Sequence, residues 1–181
     1  WGEAASALKA AASIDRNGVW VEHRISMSHP NPACLRSLRD IDLYIARAPN
    51  AAWALAWRGQ TELLLQNYWR ALRDLGAALC LSPKDPLALL WRGETWRRLG
   101  DFDRALKDFK GALKLSRDLS WAHAGRGFCL LRLGCYPAAL AALERSLRLQ
   151  GLCAPALAWH GETLYKLGRF GLAVASFESA L

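Results

Sequence analysis

Four glycines recur every 34 residues along this chain, and the residue types around them recur at the same spacing. They are Gly59, Gly93, Gly127 and Gly161. An alanine follows each glycine after twelve residues, and a bulky apolar residue follows that alanine after four. Sequence periods of this length are typical of arrays in which each unit buries its apolar face only against its neighbours. The period therefore predicts an extended repeat array and argues against a catalytic domain built around one pocket.

Each unit has the pattern of two helices joined by a short turn. Leu-Gly steps mark the turn at Leu99-Gly100, Leu133-Gly134 and Leu167-Gly168, and the first unit has Leu65-Gln66 there. A glycine inside a helix costs about 1 kcal/mol relative to alanine, so its recurrence at one phase indicates a close helix crossing. We expect the glycine of the first helix to face the alanine of the second, because only small residues allow that approach.

With Gly93, Trp96, Ala105, Phe109 and Ala112 in place, the chain resembles the tetratricopeptide repeat (TPR) family. The resemblance implies an all-α fold, an α-α superhelix or TPR solenoid of antiparallel helix pairs, with protein or peptide binding on its concave side. The implied units are 52–85, 86–119, 120–153 and 154–181. The pattern departs from the family where the closing proline is replaced, by Arg117 and by Gly151.

Residues 1–51 form a separate N-terminal part in this interpretation. Residues 1–14 predict a helix like the second half of a repeat, and a degenerate repeat follows. Residues 19–25 alternate and could be extended, while Pro30 and Pro32 forbid a continuous helix. Whether residues 15–32 form a helix stays open. A helix from about Ala33 to Ala46 is predicted, with Asn31 as its cap.

The two ends of the chain suggest a fragment of a longer protein. The chain has no starting methionine, and it stops at the end of a second helix without a polar capping helix. Leu172, Val174, Phe177 and Leu181 would then leave apolar surface open. We expect either further repeats after residue 181 or self-association through the C-terminal end.

The resemblance also implies which residues line the concave groove, since the family's contact positions lie at set distances from the glycine of each first helix. The candidate peptide-binding residues are Trp53, Gln60, Leu64, Leu87, Leu90, Glu94, Arg97, Arg98, Trp121, Phe128, Arg132, Glu162, Tyr165 and Lys166. They form an apolar, aromatic wall with a cationic stripe. The family's chaperone-binding carboxylate clamp is absent, because apolar residues such as Ala56 and Leu90 stand where its lysines would be.

Four of these candidates are cationic: Arg97, Arg98, Arg132 and Lys166. A guanidinium group pairs with a carboxylate in a fork geometry, so the hypothesis is an acidic peptide or protein with hydrophobic anchors. The alternative is that these cations simply end helices, where positive charge suits the C-terminal dipole and reaches solvent. A recurrent tryptophan, at Trp57, Trp91 and Trp159, is similarly open between lining the groove and filling the junctions between units.

The net charge of +8 raises a second function, the binding of RNA or another polyanion by a basic helical repeat. The inner positions are mostly apolar and lack the paired hydrogen-bonding groups that base readout needs. The basic residues of the second helices alternate with acids, which a solvated outer face also explains. Nucleic acid is therefore the less favoured partner, and a homo-oligomerisation or assembly domain is a further alternative.

An enzyme is the least favoured class. The four histidines have no ligand spacing, and no phosphate loop, nucleophile elbow or acid pair appears, so no catalytic residue, metal or cofactor is predicted. The five cysteines form no Cys-x-x-Cys pair, which favours thiols in a reducing compartment and hence a cytoplasmic protein. No run of 18 apolar residues could span a membrane.

Overall fold

The computed structural model describes residues 32–150 and 153–181, and these ranges contain nine α-helices and no strand. The helices are α1 Pro32–Arg47, α2 Ala52–Leu64, α3 Tyr68–Leu81, α4 Pro86–Leu99, α5 Phe102–Leu115, α6 Ser120–Arg132, α7 Tyr136–Gln150, α8 Ala154–Lys166 and α9 Phe170–Glu178. The predicted all-α fold is confirmed. The helix predicted for residues 1–14, the alternating segment 19–25 and the Asn31 cap lie outside the described residues.

The helices stack in consecutive pairs. The first helices α2, α4, α6 and α8 each pack against the second helix that follows them, and each second helix packs against the next first helix. First helices also touch one another, α2 with α4, α4 with α6, and α6 with α8. This stacking gives the predicted solenoid, with a continuous row of first helices on one side.

Glycine ends three of the four first helices for a backbone reason. Gly100, Gly134 and Gly168 have φ values of 83°, 78° and 75°, a left-handed conformation that costs a side-chain-bearing residue about 1 to 2 kcal/mol. Gln66 takes the same place in the first unit with φ of 62°. Among the described residues, Gln66 alone combines a side chain with a positive φ. The first turn therefore carries backbone strain that the other three turns avoid.

Aspartates begin two of the helices. The Asp85 carboxylate accepts hydrogen bonds from the backbone N–H groups of Leu87 at 2.9 Å and Ala88 at 3.1 Å, with Pro86 in the first helical turn of α4. Asp101 accepts from the N–H of Arg104 at 3.0 Å at the start of α5. These caps satisfy donors that the helix itself leaves unpaired, so they fix where each helix begins.

The helix crossings are as close as the glycines predict, but the partner differs from the expected alanine. A Cβ added at Gly59 would lie 2.6 Å from Leu75 Cγ, and one added at Gly127 would lie 2.6 Å from Leu143 Cγ. The alanine of the second helix contributes its backbone instead, since the Ala71 carbonyl oxygen would lie 3.2 Å from the added Cβ of Gly59. The small alanine allows the two helix backbones to approach each other, and the side chain of the bulky residue then lies over the glycine.

Residue sizes are matched where one unit meets the next. Phe109 is fully buried, and a Cβ at Gly125 on the following helix would lie 2.5 Å from its Cζ. Two other units have a leucine at the position of Phe109. In each case the next unit has a tryptophan at the position of Gly125, as Trp91 follows Leu75. Trp91 is half-buried and packs against the buried clusters on both of its sides. The interruption of the tryptophan series therefore reflects the larger ring of Phe109.

The last helix has an apolar outer face. Phe170, Leu172, Val174 and Phe177 of α9 are exposed, as is Leu181, whereas Ala173 and Ser176 are buried. At the position of Phe177 the other second helices bury Leu75, Phe109 and Leu143 completely. Self-association through this face stays a prediction.

Candidate binding groove

The candidate groove is the row of first helices α2, α4, α6 and α8, and its centre is an aromatic cluster. The Phe128 ring on α6 lies 4.8 Å between centroids from Trp159 on α8 and 6.1 Å from Phe102 on α5. Trp121 lies 6.3 Å from Trp159. These tilted and edge contacts are the geometries that aromatic rings favour, so the cluster is a packed aromatic platform that joins the second, third and fourth units.

Arg97 on α4 packs against this platform. Its guanidinium lies 4.7 Å from the Phe128 centroid and 5.3 Å from that of Trp159. It also donates from Nε to Glu94 Oε2 at 2.7 Å and from Nη2 to Glu94 Oε1 at 2.6 Å. Burial acts to lower the pKa of Arg97, but the hydrogen bonds with Glu94 and the attraction of nearby charges, chiefly Glu94, together raise the pKa above its usual value. Only 9% of the Arg97 side chain is exposed, so Arg97 stabilises the packing of the groove wall rather than presenting its charge to a ligand.

The remaining three cations reach the surface. Arg98 donates to Glu94 Oε1 at 2.9 Å and keeps 35% of its side chain exposed. Since one carboxylate serves both Arg97 and Arg98, this group has a net charge of +1. Arg132 is 52% exposed and lies 3.9 Å from Glu162, while Lys166 is exposed and has no ion pair within the described ranges. All four cations lie in the last turn of their helix, as the alternative interpretation required.

The apolar candidates divide into buried and accessible residues. Leu90 and Trp121 are buried, with Trp121 only 5% exposed, so both belong to the core. Leu87 is half-buried and packs against that core. Tyr165 is exposed, with its ring 5.4 Å from that of Phe170 in an edge contact.

At the other end of the row, the first unit presents a separate group. Trp53, Gln60 and Leu64 on α2 are half-buried. The Trp53 ring lies 4.8 Å from Tyr44 on α1. Helix α1 therefore contributes to the wall, and the structure places this group apart from the central aromatic cluster.

Sequence reasoning misses two members of the central platform as groove residues. The repeat pattern marks Phe102 only as the aromatic that follows a turn, and it leaves Trp159 open between packing and groove. The spacing of Glu94, Arg97 and Arg98 at three and four residues on one helix is the available signal for their pairing. It does not reveal which of the two arginines becomes buried.

No group of three histidine, cysteine, aspartate or glutamate side chains that could hold a metal ion occurs among residues 32–150 and 153–181. Cys129 is a buried thiol whose pKa burial raises to about 12, whereas Cys80 and Cys135 are free and exposed. Within the same part of the chain, no helix is long and apolar enough to cross a membrane.

Comparison with known proteins identifies the repeat. A family model described as tetratricopeptide repeat matches residues 58–120 and 130–181. No curated protein sequence matches the chain significantly.

Several solved structures share the fold. TTC0263, a thermophilic TPR protein of Thermus thermophilus, is 22% identical with a TM-score of 0.66, over 80% of this chain and 79% of its own. YrrB, described as a TPR protein with an unusual peptide-binding site, is 20% identical with a TM-score of 0.66, over 82% and 76%. The first TPR of Spaghetti (RPAP3), solved with the HSP90 peptide SRMEEVD, is 23% identical with a TM-score of 0.62, over 65% and 93%. At these identities the similarity shows the fold alone.

Proposed function

The chain belongs to the tetratricopeptide repeat family, whose model matches more than half of its residues, and from that premise we propose that it is a protein-interaction scaffold. A peptide or protein segment binds along the row of first helices. The peptide-binding site named for YrrB and the bound peptide of the RPAP3 repeat support this kind of activity. The proposed role is binding rather than catalysis, in a reducing compartment such as the cytoplasm.

The observation that carries the proposal is the position of accessible cations on the helices that carry the aromatic platform. Phe128 is half-buried at the centre of the row, and Arg132 and Lys166 lie exposed at the ends of α6 and α8. Aromatic surface supplies affinity when it is desolvated, and exposed cations select the charge of the partner. The proposed ligand therefore has an apolar anchor for Phe128 and acidic residues for the two cations.

The chain selects a different peptide from that of the RPAP3 repeat. Where the chaperone-binding subfamily has clamp lysines, this chain has Ala56, Leu90 and Ala124, which are all buried. A terminal carboxylate has no cation to meet at these positions. We therefore expect the peptide SRMEEVD to bind at least tenfold more weakly than a selected acidic, aromatic-anchored peptide.

A selection from displayed random peptides tests the proposal. The parent chain is compared with a variant carrying Arg132→Glu and Lys166→Glu, which reverses the two accessible cations and leaves the buried Arg97 in place. The matched control carries Lys107→Glu and Lys114→Glu, the same charge change on exposed residues of the second helix α5. Helical circular dichroism confirms that all three fold.

The expected result is a family of acidic peptides that bind the parent and the control and lose at least tenfold in affinity for the groove variant. Equal losses in both variants, with a steep dependence on salt, would instead indicate nonspecific attraction to polyanions. If no peptide is recovered with any of the three proteins, the groove is not a peptide-binding site.

A further inference from the structure

An arginine precedes the repeat glycine in the first three units and a histidine in the fourth, and in the first two units an aspartate holds the arginine. These residues are Arg58, Arg92, Arg126 and His160. Arg92 donates from Nε and Nη2 to the two carboxylate oxygens of Asp108, both at 2.7 Å. Arg58 is held in the same way by Asp74, at 2.5 and 2.9 Å. Because both aspartates are buried on the second helix, this side of the first helix faces away from the groove.

Arg58 shows that a carboxylate can also reach this position from the surface. Its Nη1 donates to Asp42 Oδ1 at 2.9 Å, and Asp42, on the preceding helix α1, is 54% exposed. The guanidinium of the first unit is thus shared between a buried acid and a surface acid. Both hydrogen bonds raise the pKa of Arg58, as expected for a cation beside carboxylates.

The third unit has neither acid. Ala142 stands at the position of Asp74 and Asp108, and Lys110 stands at the position of Asp42. The Nε atom of Arg126 is buried and has no hydrogen-bond acceptor within the described part of the chain. In the fourth unit a histidine replaces the arginine and a serine replaces the aspartate, and His160 Nδ1 lies 3.0 Å from Ser176 Oγ.

The surroundings of Arg126 are also more polar and more positive than in the other units. His123 stands where Leu55, Leu89 and Leu157 stand in the other first helices. Its Nε2 lies 3.0 Å from the Arg117 carbonyl oxygen, and its Nδ1 is buried without a partner in residues 32–150 and 153–181.

Two arginines and one aspartate act on His123, so positive charge outweighs negative charge around it. Burial lowers the pKa of His123, and the positive charges of Arg126 and Arg145 lower it further, against opposing effects of the Arg117 carbonyl and Asp118. Asp118 is the nearby acid, and it is highly exposed, 3.3 Å from Arg145. A buried donor and an unbalanced cation therefore lie together on the second-helix side of α6.

We propose that Arg126 forms an oxyanion-binding site on the side of the solenoid opposite the groove, and that the site takes the carboxylate or phosphate group of a ligand. A guanidinium presents two N–H groups that fit two oxygens of such a group. The ligand oxygens take the role that Asp74 and Asp108 perform within the chain, and they approach as Asp42 approaches Arg58. The site does not depend on peptide binding by the groove.

Nuclear magnetic resonance of the whole chain tests the site directly. The Nε–Hε signal of Arg126, assigned by its loss in Arg126→Gln, is followed while sodium acetate or sodium phosphate replaces sodium chloride at constant ionic strength. We expect a saturable shift with a midpoint of about 1 to 10 mM, as for a contact dominated by one charge-assisted pair. Saturation by acetate identifies a carboxylate ligand, and saturation by phosphate alone identifies a phosphate group.

Two variants make the result decisive. Ala142→Asp supplies the missing carboxylate within the chain, so it should weaken the response of Arg126 at least tenfold. Arg126→Gln should abolish the accompanying shift of the His123 ring signals, and this second readout remains if Ala142→Asp does not fold. The proposal is overturned if neither anion gives a saturable shift in the parent, if Ala142→Asp responds as the parent does, or if His123 responds unchanged in Arg126→Gln.

Discussion

Gly125→Ala tests whether the junction between the second and third units is limited by the size of one ring. The ring of Phe109 is fully buried between two first helices. An added Cβ at Gly125 would lie 2.5 Å from its Cζ and 2.8 Å from its Cε2, and one at Gly93 on the other side would lie 3.0 Å from its Cδ1. The ring cannot move away from one glycine without approaching the other.

The magnitude follows from two opposing contributions. Overpacking a buried site costs about 1 to 3 kcal/mol, and replacing glycine by alanine inside a helix gains about 1 kcal/mol. We therefore expect Gly125→Ala to lower the free energy of unfolding by about 1 kcal/mol. Gly76→Ala is the matched control, because an added Cβ there meets no atom within 4 Å. It should raise the free energy of unfolding by about 1 kcal/mol.

Urea denaturation followed by helical circular dichroism measures both effects, and Phe109→Leu completes a double-mutant cycle. Leucine is what the first and third units have at this position, beside a tryptophan rather than a glycine. Phe109→Leu should therefore remove the steric cost of Gly125→Ala, with a coupling of about 1 to 3 kcal/mol. Additive effects in the cycle, or a Gly125→Ala variant as stable as Gly76→Ala, would refute the size-matching argument.

Four further measurements address the turns, the cysteines and the buried titratable groups. Gln66→Gly should raise the free energy of unfolding by about 1 kcal/mol and Gly100→Ala should lower it similarly, because both have positive φ; no change in urea denaturation for either would contradict the strain. Cys80 should react with a thiol reagent in the native state, whereas Cys129 should react only after unfolding, as peptide mass spectrometry can show. Because the pKa of the Cys129 thiol rises from 9.0 to about 12 on folding, stability should also fall as pH rises between these values, and less so in Cys129→Ala. Burial lowers the pKa of His160 below 6.5, so stability should fall as pH drops through that folded pKa, and His160→Gln should flatten this dependence.

Most of the helix architecture could be predicted because it depends on local, repeated requirements. A positive φ favours glycine at Gly100, and a close crossing leaves no room for a side chain at Gly93, so both appear in the sequence at a constant phase. The partner of the crossing could not be predicted in the same way. Which side chain lies over Gly59 depends on the offset between two helices, and the structure places Leu75 there rather than Ala71.

The groove was less predictable because its residues compete for the same partners. Position relative to the glycine marks Arg97 and Arg98 equally as surface cations. Only the positions of the Phe128 ring on α6 and the Trp159 ring on α8 show that Arg97 is covered while Arg98 reaches solvent. The sequence has Ala142 where two other units have aspartate, but only the ion pair of Arg92 with Asp108 shows that this replacement removes the acid partner of Arg126.

The matched sizes at the junctions mean that the units of this solenoid are not interchangeable modules. A unit that contains Leu75 or Leu143 is followed by one that carries a tryptophan, whereas the unit with Phe109 requires a successor with a glycine, Gly125. A tandem duplication of residues 86–119 would place the phenyl ring of one copy against the Trp91 indole of the next. The order of neighbouring units therefore limits how the array can be lengthened or rearranged, in evolution or by design. A duplicated copy of residues 86–119 would be tolerated only with a smaller residue in place of that tryptophan.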